Sequence, residues 1–230
     1  CMPLKTREKH LGAIEFINKV GSQFSSDDMD RVQVLLDLAA VSLENAMLFE
    51  SLRAITERDE LTGLYNQQAL MRRLERLIEE SKLNNDSFGY IFLDLDHLKQ
   101  VNDRFGHLRG RAVIQEVGVL LHEKLSGSSI IGRYGGDEFW VILPGADKIR
   151  TMTIAEEIRK MIADHVFLAA QSLNIRLTAS IGVVVFPQHA RSFDRLAQLA
   201  DEALFMAKKQ NRNRVICALD TLPPEGLVLR

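Results

Sequence analysis

Three carboxylates and a pair of glycines carry the chemical interest of this sequence. Asp137 and Glu138 stand side by side directly after Gly135 and Gly136 in "RYGGDEFWVILP", between apolar runs that read as strands. Asp94 ends another apolar run, "FGYIFLDLD". The plain reading of the glycine pair is a hairpin turn with a solvated tip. A carboxylate ending a strongly apolar strand asks for more, because burying it is costly unless it is paired or bound to a cation. Such groups, brought from separate segments, suit hard cations such as Mg2+, which prefer oxygen ligands and share them with substrate phosphates. Gly135 and Gly136 would let the backbone pass close to those phosphates, since no Cβ intervenes. Two metal ions bridging an attacking and a leaving oxygen is a recurrent solution for phosphoryl transfer. Asp96, followed by "HLK", reads instead as a helix cap, and His97 as an exposed side chain.

Periodicity and turn residues define the elements that must hold these groups. "HLGAIEFINK" alternates like a strand, and "FSSDDMDRVQVLLDLAAVSLENAMLFESLRAIT" reads as one long helix capped by Ser25 or Ser26. Within it Leu38, Val41, Asn45, Leu48, Leu52 and Ile55 recur at alternating steps of three and four. That is the seam of a coiled coil, with Asn45 able to fix register. For the first half, packing on its own domain is an equal alternative; the second half reads as a dimer seam. From Asp59 the texture changes. "DELTGLYN" is a loop, and Asn66 caps a helix to about Lys82. "FGYIFLDLD" is apolar enough for a strand buried on both faces. "HLKQVNDRFGH" predicts a short helix broken at Gly106, with the next helix starting near Gly110. "SSIIGRYGGDEFWVILP" is strand, turn, strand; a helix follows from about Asp147 to His165. "IRLTASIGVVVFP", "SFDRLAQLADEALFMAKKQ" and "RVIC" complete the pattern as strand, helix and short strand. Phe139 and Trp140 alternate on their strand, so one of them is expected in the core. Helices segregated from a meander-rich sheet give an α+β class.

Composition narrows the function. The 230 residues, 46% hydrophobic and 26% charged, describe an ordinary soluble globular chain, and a net charge of -2 excludes a protein that coats nucleic acid. Phosphate binding must therefore come from a few placed residues. Cys1 and Cys217 are too few for a disulfide framework or a zinc site, which suits a reducing, cytoplasmic setting. No apolar run approaches the roughly 18 residues of a membrane span, so no membrane partner is expected for this segment. The chain opens at Cys1 without an initiator Met, as a fragment of a longer protein would.

The ordered motifs "DELTGLYN", "DLDHLKQVND", "FGHLRG", "RYGGDEF", "ASIGV" and "ADEALFMAKKQNRNRV" resemble the GGDEF family of diguanylate cyclases. The resemblance runs over residues 59–217, leaving 218–230 as a tail. It implies a nucleotidyl-cyclase or polymerase-palm-like domain, with a central, mainly antiparallel sheet wrapped by helices. It also implies a homodimer holding one GTP in each half-site, joining the two into cyclic di-GMP with release of pyrophosphate. Two Mg2+ ions per half-site are implied, with Mn2+ as a substitute. Carried over residue by residue, Asp94, Asp137 and the Leu95 carbonyl would hold metal, Asp137 counting among the catalytic groups as well. Glu138 would be a metal ligand or catalytic carboxylate. Lys99, Lys208 and Arg212 would meet the phosphates, Lys99 as a catalytic cation, with Lys208 and Arg212 one helical turn apart on one face. Asn102 would contact the base, His107 would help build the nucleotide pocket, and Gly135 and Gly136 would border it. Residues 1–40 loosely resemble the end of a GAF sensor domain, through the strand ending "INK", "FS-x-DD" and the "LENA" helix. Residues 41–58 would then be a helical linker.

This sequence departs from the family pattern at three places. The usual "GH-x-x-GD" reads "GHLRGR", so Arg111 replaces an Asp that can accept both hydrogens of guanine's N1 and N2 edge. Arginine only donates. Losing a matched polar pair costs discrimination, so a weakened preference for guanine is expected, with ATP used beside GTP and mixed cyclic GMP-AMP as an open product. The "R-x-x-D" product-inhibition site reads "SGSS", with Ser126 and Ser129 at its ends, so no such site is expected. Asn211 stands where a glycine is usual, at little cost because Asn tolerates left-handed backbone. Two rival readings stand beside an active cyclase: a degenerate domain kept for nucleotide binding or dimerisation, and a purely structural sensor coupler.

Overall fold

A computed structural model describes residues 1–6, 9–17, 24–55, 57–125, 127 and 129–218, the side chains of 48–55 excepted. The chain divides into two units, Cys1–Thr56 and Glu57–Arg230. In the first, strands β1 (Met2–Lys5) and β2 (His10–Ile14) pair antiparallel, and a long helix, α1 (Ser26–Ile55), follows. The sequence pattern foreshadows β2 and α1 but not β1. Ser25 caps α1: its hydroxyl accepts the Asp28 N–H at 3.2 Å, and the Asp28 carboxylate accepts the Ser25 N–H at 2.8 Å. This reciprocal box uses Asp where Glu is usual, and it satisfies two orphan donors at once. Leu36 and Ala40 of α1 are buried, whereas Val34, Leu38 and Val41 are exposed. The remaining apolar seam positions, Leu48, Leu52 and Ile55, lie outside the described side chains.

In the second unit, five strands form one sheet in the order β4-β5-β3-β6-β7. They are β3 (Phe88–Asp96), β4 (Ile130–Gly135), β5 (Glu138–Pro144), β6 (Thr178–Phe186) and β7 (Val215–Cys217). All neighbours pair antiparallel except β6 with β7, which run parallel. The helices are α2 (Gln67–Asn84), α3 (Leu98–Phe105), α4 (His107–Lys124), α5 (Lys148–Asp164) and α6 (Phe193–Lys209). Every residue of β3 is buried, because helices cover both faces of the sheet. On one face Ile91, Leu93 and Leu95 join Phe139, Val141 and Ile181 under α3, α4 and α5. On the other, Phe88, Tyr90 and Phe92 join Trp140, Ile142 and Val184 under α2 and α6. Each fully buried side chain of this kind contributes about 1.5–3 kcal/mol. Phe139 and Trp140 therefore both belong to core, one on each face, rather than one inside and one outside.

Local rules set the helix ends. Asn66 caps α2 by accepting the Ala69 N–H at 2.9 Å, and Asp147 caps α5 by accepting the Arg150 N–H at 2.8 Å. Gly106, at φ 83°, separates α3 from α4, and α4 starts at His107 rather than near Gly110. Among the described residues no helix is long and apolar enough to cross a membrane.

Candidate active site

The hairpin between β4 and β5 turns at Gly136, whose φ of 34° is a backbone region that side chains rarely adopt. A register shift lies between Arg133 and Gly135, so the tip departs from the regular ladder. Arg133 holds it: its Nε and Nη2 donate to the Gly136 carbonyl at 3.0 and 2.8 Å, while Nη1 donates to Asp59 Oδ2 at 3.2 Å. Asp59 is fixed in turn by the Thr62 N–H and hydroxyl, at 2.9 and 2.8 Å. The Asp137 carbonyl accepts the Leu95 N–H at 3.2 Å, which pins the turn to the end of β3.

Against this tip lies a cleft of about 470 Å³. Lys99 and Asn102 of α3, His107 and Arg111 of α4, and Gly136 and Asp137 of the hairpin line it, with Leu98 and Ile114 as apolar wall. Six residues singled out from sequence thus meet in one cavity. Gly110 makes the meeting of α3 and α4 feasible. A Cβ there would overlap Asn102 Oδ1 and stand 2.9 Å from its Cγ, so only glycine leaves that amide its place.

The remaining acids face the other way. Side chains alternate along a strand, so Asp94 and Asp96 share the α6 face of β3 with Tyr90 and Phe92, and Glu138 is paired across the ladder with Asp94. Lys208 Nζ lies 2.7 Å from Asp94 Oδ2. Asp96 is no helix cap: His97 occupies the N-cap position of α3, with no side-chain cap bond. Asp96 instead accepts the hydroxyls of Thr178 and Ser180, each at 2.7 Å, and the Asn213 N–H at 3.1 Å. Arg212 Nε is 3.9 Å from Asp96 Oδ1. Arg212 does not share a helix face with Lys208, because α6 ends at Lys209 and residues 211–213 all have positive φ, Asn211 at 73° among them. Arg159 steadies that turn by donating to Asn213 Oδ1 at 2.6 Å. His97 is exposed, as expected. Ser129 is half-buried, and Ser126 lies outside the described residues.

Charge crowding shows in the proton affinities. Burial raises the Asp94 carboxyl above its ordinary value; Lys208 opposes this, and Asp137 and Asp96 add to it. Glu138 is raised first by burial and then by the charge of Asp94, again opposed by Lys208. Among the described residues, no three His, Cys, Asp or Glu side chains converge closely enough to hold a metal ion as they stand. The donor chemistry nevertheless fits a hard divalent cation: Asp94 and Glu138 at the end of β3 are both raised in proton affinity by burial, with neighbouring carboxylates adding to it, and the Lys208 ammonium sits directly on Asp94.

Sequence reasoning missed Asp59, Asp96, Gly110 and Arg133. Arg133 and Asp59 both lie inside quoted motifs, but nothing local says that they touch across 74 residues.

A mainly antiparallel five-stranded sheet flanked by helices, with acids and glycines at one hairpin, is the α+β architecture that solved GGDEF domains share. The family model "Diguanylate cyclase, GGDEF domain" matches residues 56–214, and the chain belongs to this family. Diguanylate cyclase DosC of Escherichia coli K12 is 33% identical over 190 residues, covering 80% of this chain and 41% of the relative. YhcK of Bacillus subtilis is 31% identical, covering 74% of this chain and 47% of that protein. The chain thus spans less than half the length of these curated relatives. The GGDEF domain of Caulobacter crescentus DgcB, solved in complex with c-di-GMP, superposes with a TM-score of 0.65 at 30% identity, covering 71% of this chain and 96% of that one.

Proposed function

We propose that the chain is the catalytic part of a diguanylate cyclase, condensing two GTP into cyclic di-GMP and two pyrophosphates. The 3′-hydroxyl of each nucleotide attacks the α-phosphorus of the other, its proton is taken up, and pyrophosphate departs. The observation that carries this reading is the cleft at the glycine turn, which gathers Lys99, Asn102, His107, Arg111, Gly136 and Asp137 beside the Asp94, Glu138 and Lys208 cluster.

Positioning and charge neutralisation do most of the work in such chemistry. Asn102 orients the base, and Lys99, Lys208 and Arg212 draw the triphosphate. Asp94, Asp137, Glu138 and the Leu95 carbonyl would hold Mg2+, which supplies charge neutralisation at the phosphates when bound. Glu138, whose carboxyl holds a proton more tightly than an exposed glutamate, is the candidate acceptor for the 3′-hydroxyl proton. Because each domain offers one cleft, two copies must meet. The exposed Val34, Leu38 and Val41 on α1 support a homodimer through that helix, fed by a sensor-like segment in residues 1–40.

Arg111 favours a second product. It lines the cleft together with Asn102, and its donors would oppose the donors of guanine's N1 and N2 edge. Relaxed base choice, with ATP accepted and cyclic GMP-AMP formed, follows. Retention of Asp94, Asp137, Glu138, Lys208 and Arg212 weighs against a degenerate module. Incubation with Mg2+ and GTP, ATP or both, with products identified by mass, tests all of this. Silence in the three mixtures would overturn the cyclase reading, and strict guanine selectivity would overturn the role of Arg111.

A further inference from the structure

The acids at the end of β3 meet their charges differently. Asp96 is held by three short-reach donors, the hydroxyls of Thr178 and Ser180 on β6 and the Asn213 backbone N–H. Asp94 is 10% exposed and, among the described residues, its carboxylate is bonded by a single side chain, the ammonium of Lys208 at 2.7 Å. Lys208 is 33% exposed, in the last turn of α6, on a stem that reaches solvent. A lysine is a compact point charge on a flexible chain, able to change partner without moving backbone. A buried carboxylate left without a counter-charge is strongly disfavoured, so loss of the ammonium must be matched by another cation or by a proton.

We propose that Lys208 is a built-in stand-in for the divalent ion. Its ammonium neutralises Asp94 in the nucleotide-free chain; a triphosphate at the hairpin tip draws it away, and Asp94 becomes free to ligate metal. Triphosphate and divalent ion then bind interdependently, each raising the affinity for the other by the same factor. The inference rests on the assignment of Asp94 to metal and Lys208 to phosphate made under Proposed function. It adds an order of events: the ion enters with or after the nucleotide, and the nucleotide-free protein resists metal. Glu138, paired across the ladder with Asp94, gains the same protection because Lys208 also offsets its charge.

The test is Mn2+ affinity of this chain without nucleotide, read by electron paramagnetic resonance of the free ion and by calorimetry. Wild type is compared with Lys208→Met, Lys208→Gln and Lys208→Arg, each checked for a native circular dichroism spectrum at the temperature of the titration. The two neutral variants should bind Mn2+ about tenfold more tightly than wild type, the scale of a common coupling factor. Lys208→Arg should stay near wild type. Adding Asp94→Asn to Lys208→Met should abolish the gain. A non-hydrolysable GTP analogue, with its own Mn2+ binding measured separately and subtracted, should tighten Mn2+ binding to wild type. Neutral variants that bind Mn2+ no better than wild type, while wild type still binds it with the analogue present, would overturn the stand-in role and leave the cyclase reading intact. Absence of Mn2+ binding in every variant, with and without the analogue, would overturn the metal assignment and this inference together.

Discussion

Replacing Gly110 by alanine separates nucleotide binding from stability more cleanly than removing a polar side chain would. The new Cβ would overlap Asn102 Oδ1 and approach Asn102 Cγ to 2.9 Å, so the amide must rotate out of the place it now holds in the cleft wall. Because the obstructing atoms end a flexible side chain, the backbone need not move. Gly110 also lies inside α4, where alanine is favoured over glycine by about 1 kcal/mol. Stability should therefore hold or rise. Losing one or two hydrogen bonds from Asn102 to the base, each about 1 kcal/mol, should weaken nucleotide binding roughly five- to thirtyfold. Gly182→Ala is the contrasting control. Its Cβ would overlap the Ala200 carbonyl oxygen and stand 2.7 Å from the Leu204 amide nitrogen, both backbone atoms of α6. Nothing there can rotate away, so overpacking should cost at least about 1–3 kcal/mol of stability. Calorimetric titration with a non-hydrolysable GTP analogue and a thermal melt read both variants. If Gly110→Ala melts like wild type and binds the analogue equally well, the placement of Asn102 against the base is wrong.

Three further outcomes are expected. Arg133→Ala removes the bonds that tie the hairpin tip to Asp59, so turnover should fall by tenfold or more while circular dichroism stays native; full activity would show that the tip holds itself. Asp96→Asn keeps an acceptor but drops the charge beside Arg212, so triphosphate affinity should fall several-fold with no change for the free nucleoside; equal losses for both would refute a role through the phosphates. Glu156 is held below the ordinary glutamate value first by its hydrogen bond from Arg159. A depressed folded value means that its contribution is full above the unfolded value and disappears as pH falls through the folded one. The melting temperature of wild type should thus exceed that of Glu156→Gln at neutral pH and converge with it in acid, by a small amount because the pair is exposed to screening. A constant gap across that range would count against the ion pair.

Much of the architecture is legible because it is written in short-range patterns. The unbroken apolar run of β3 announces a strand covered on both sides, the caps at Asn66 and Asp147 mark helix starts, and the paired glycines mark the hairpin. The ordered family motifs also gather the cleft, since Lys99, Asn102, His107, Arg111 and Asp137 are carried over from them residue by residue. The errors came where a partner lies far along the chain. Asp96 looks like a cap from its neighbours, yet Thr178, Ser180 and Asn213 claim it, because β6 lies beside β3 in the sheet order. Lys208 and Arg212 have helical spacing, yet the helix stops between them.

The sequence by itself determined most of the elements, the acids and the glycine turn, since periodicity, capping and backbone freedom are properties of neighbours in the chain. Only the tertiary structure decided which charge meets which. Strand alternation sends Asp94 and Glu138 to the face of α6, where Lys208 waits, while Asp137 lines the cleft on the other side of the turn. That division arises from sheet order and packing, and a linear pattern does not encode it.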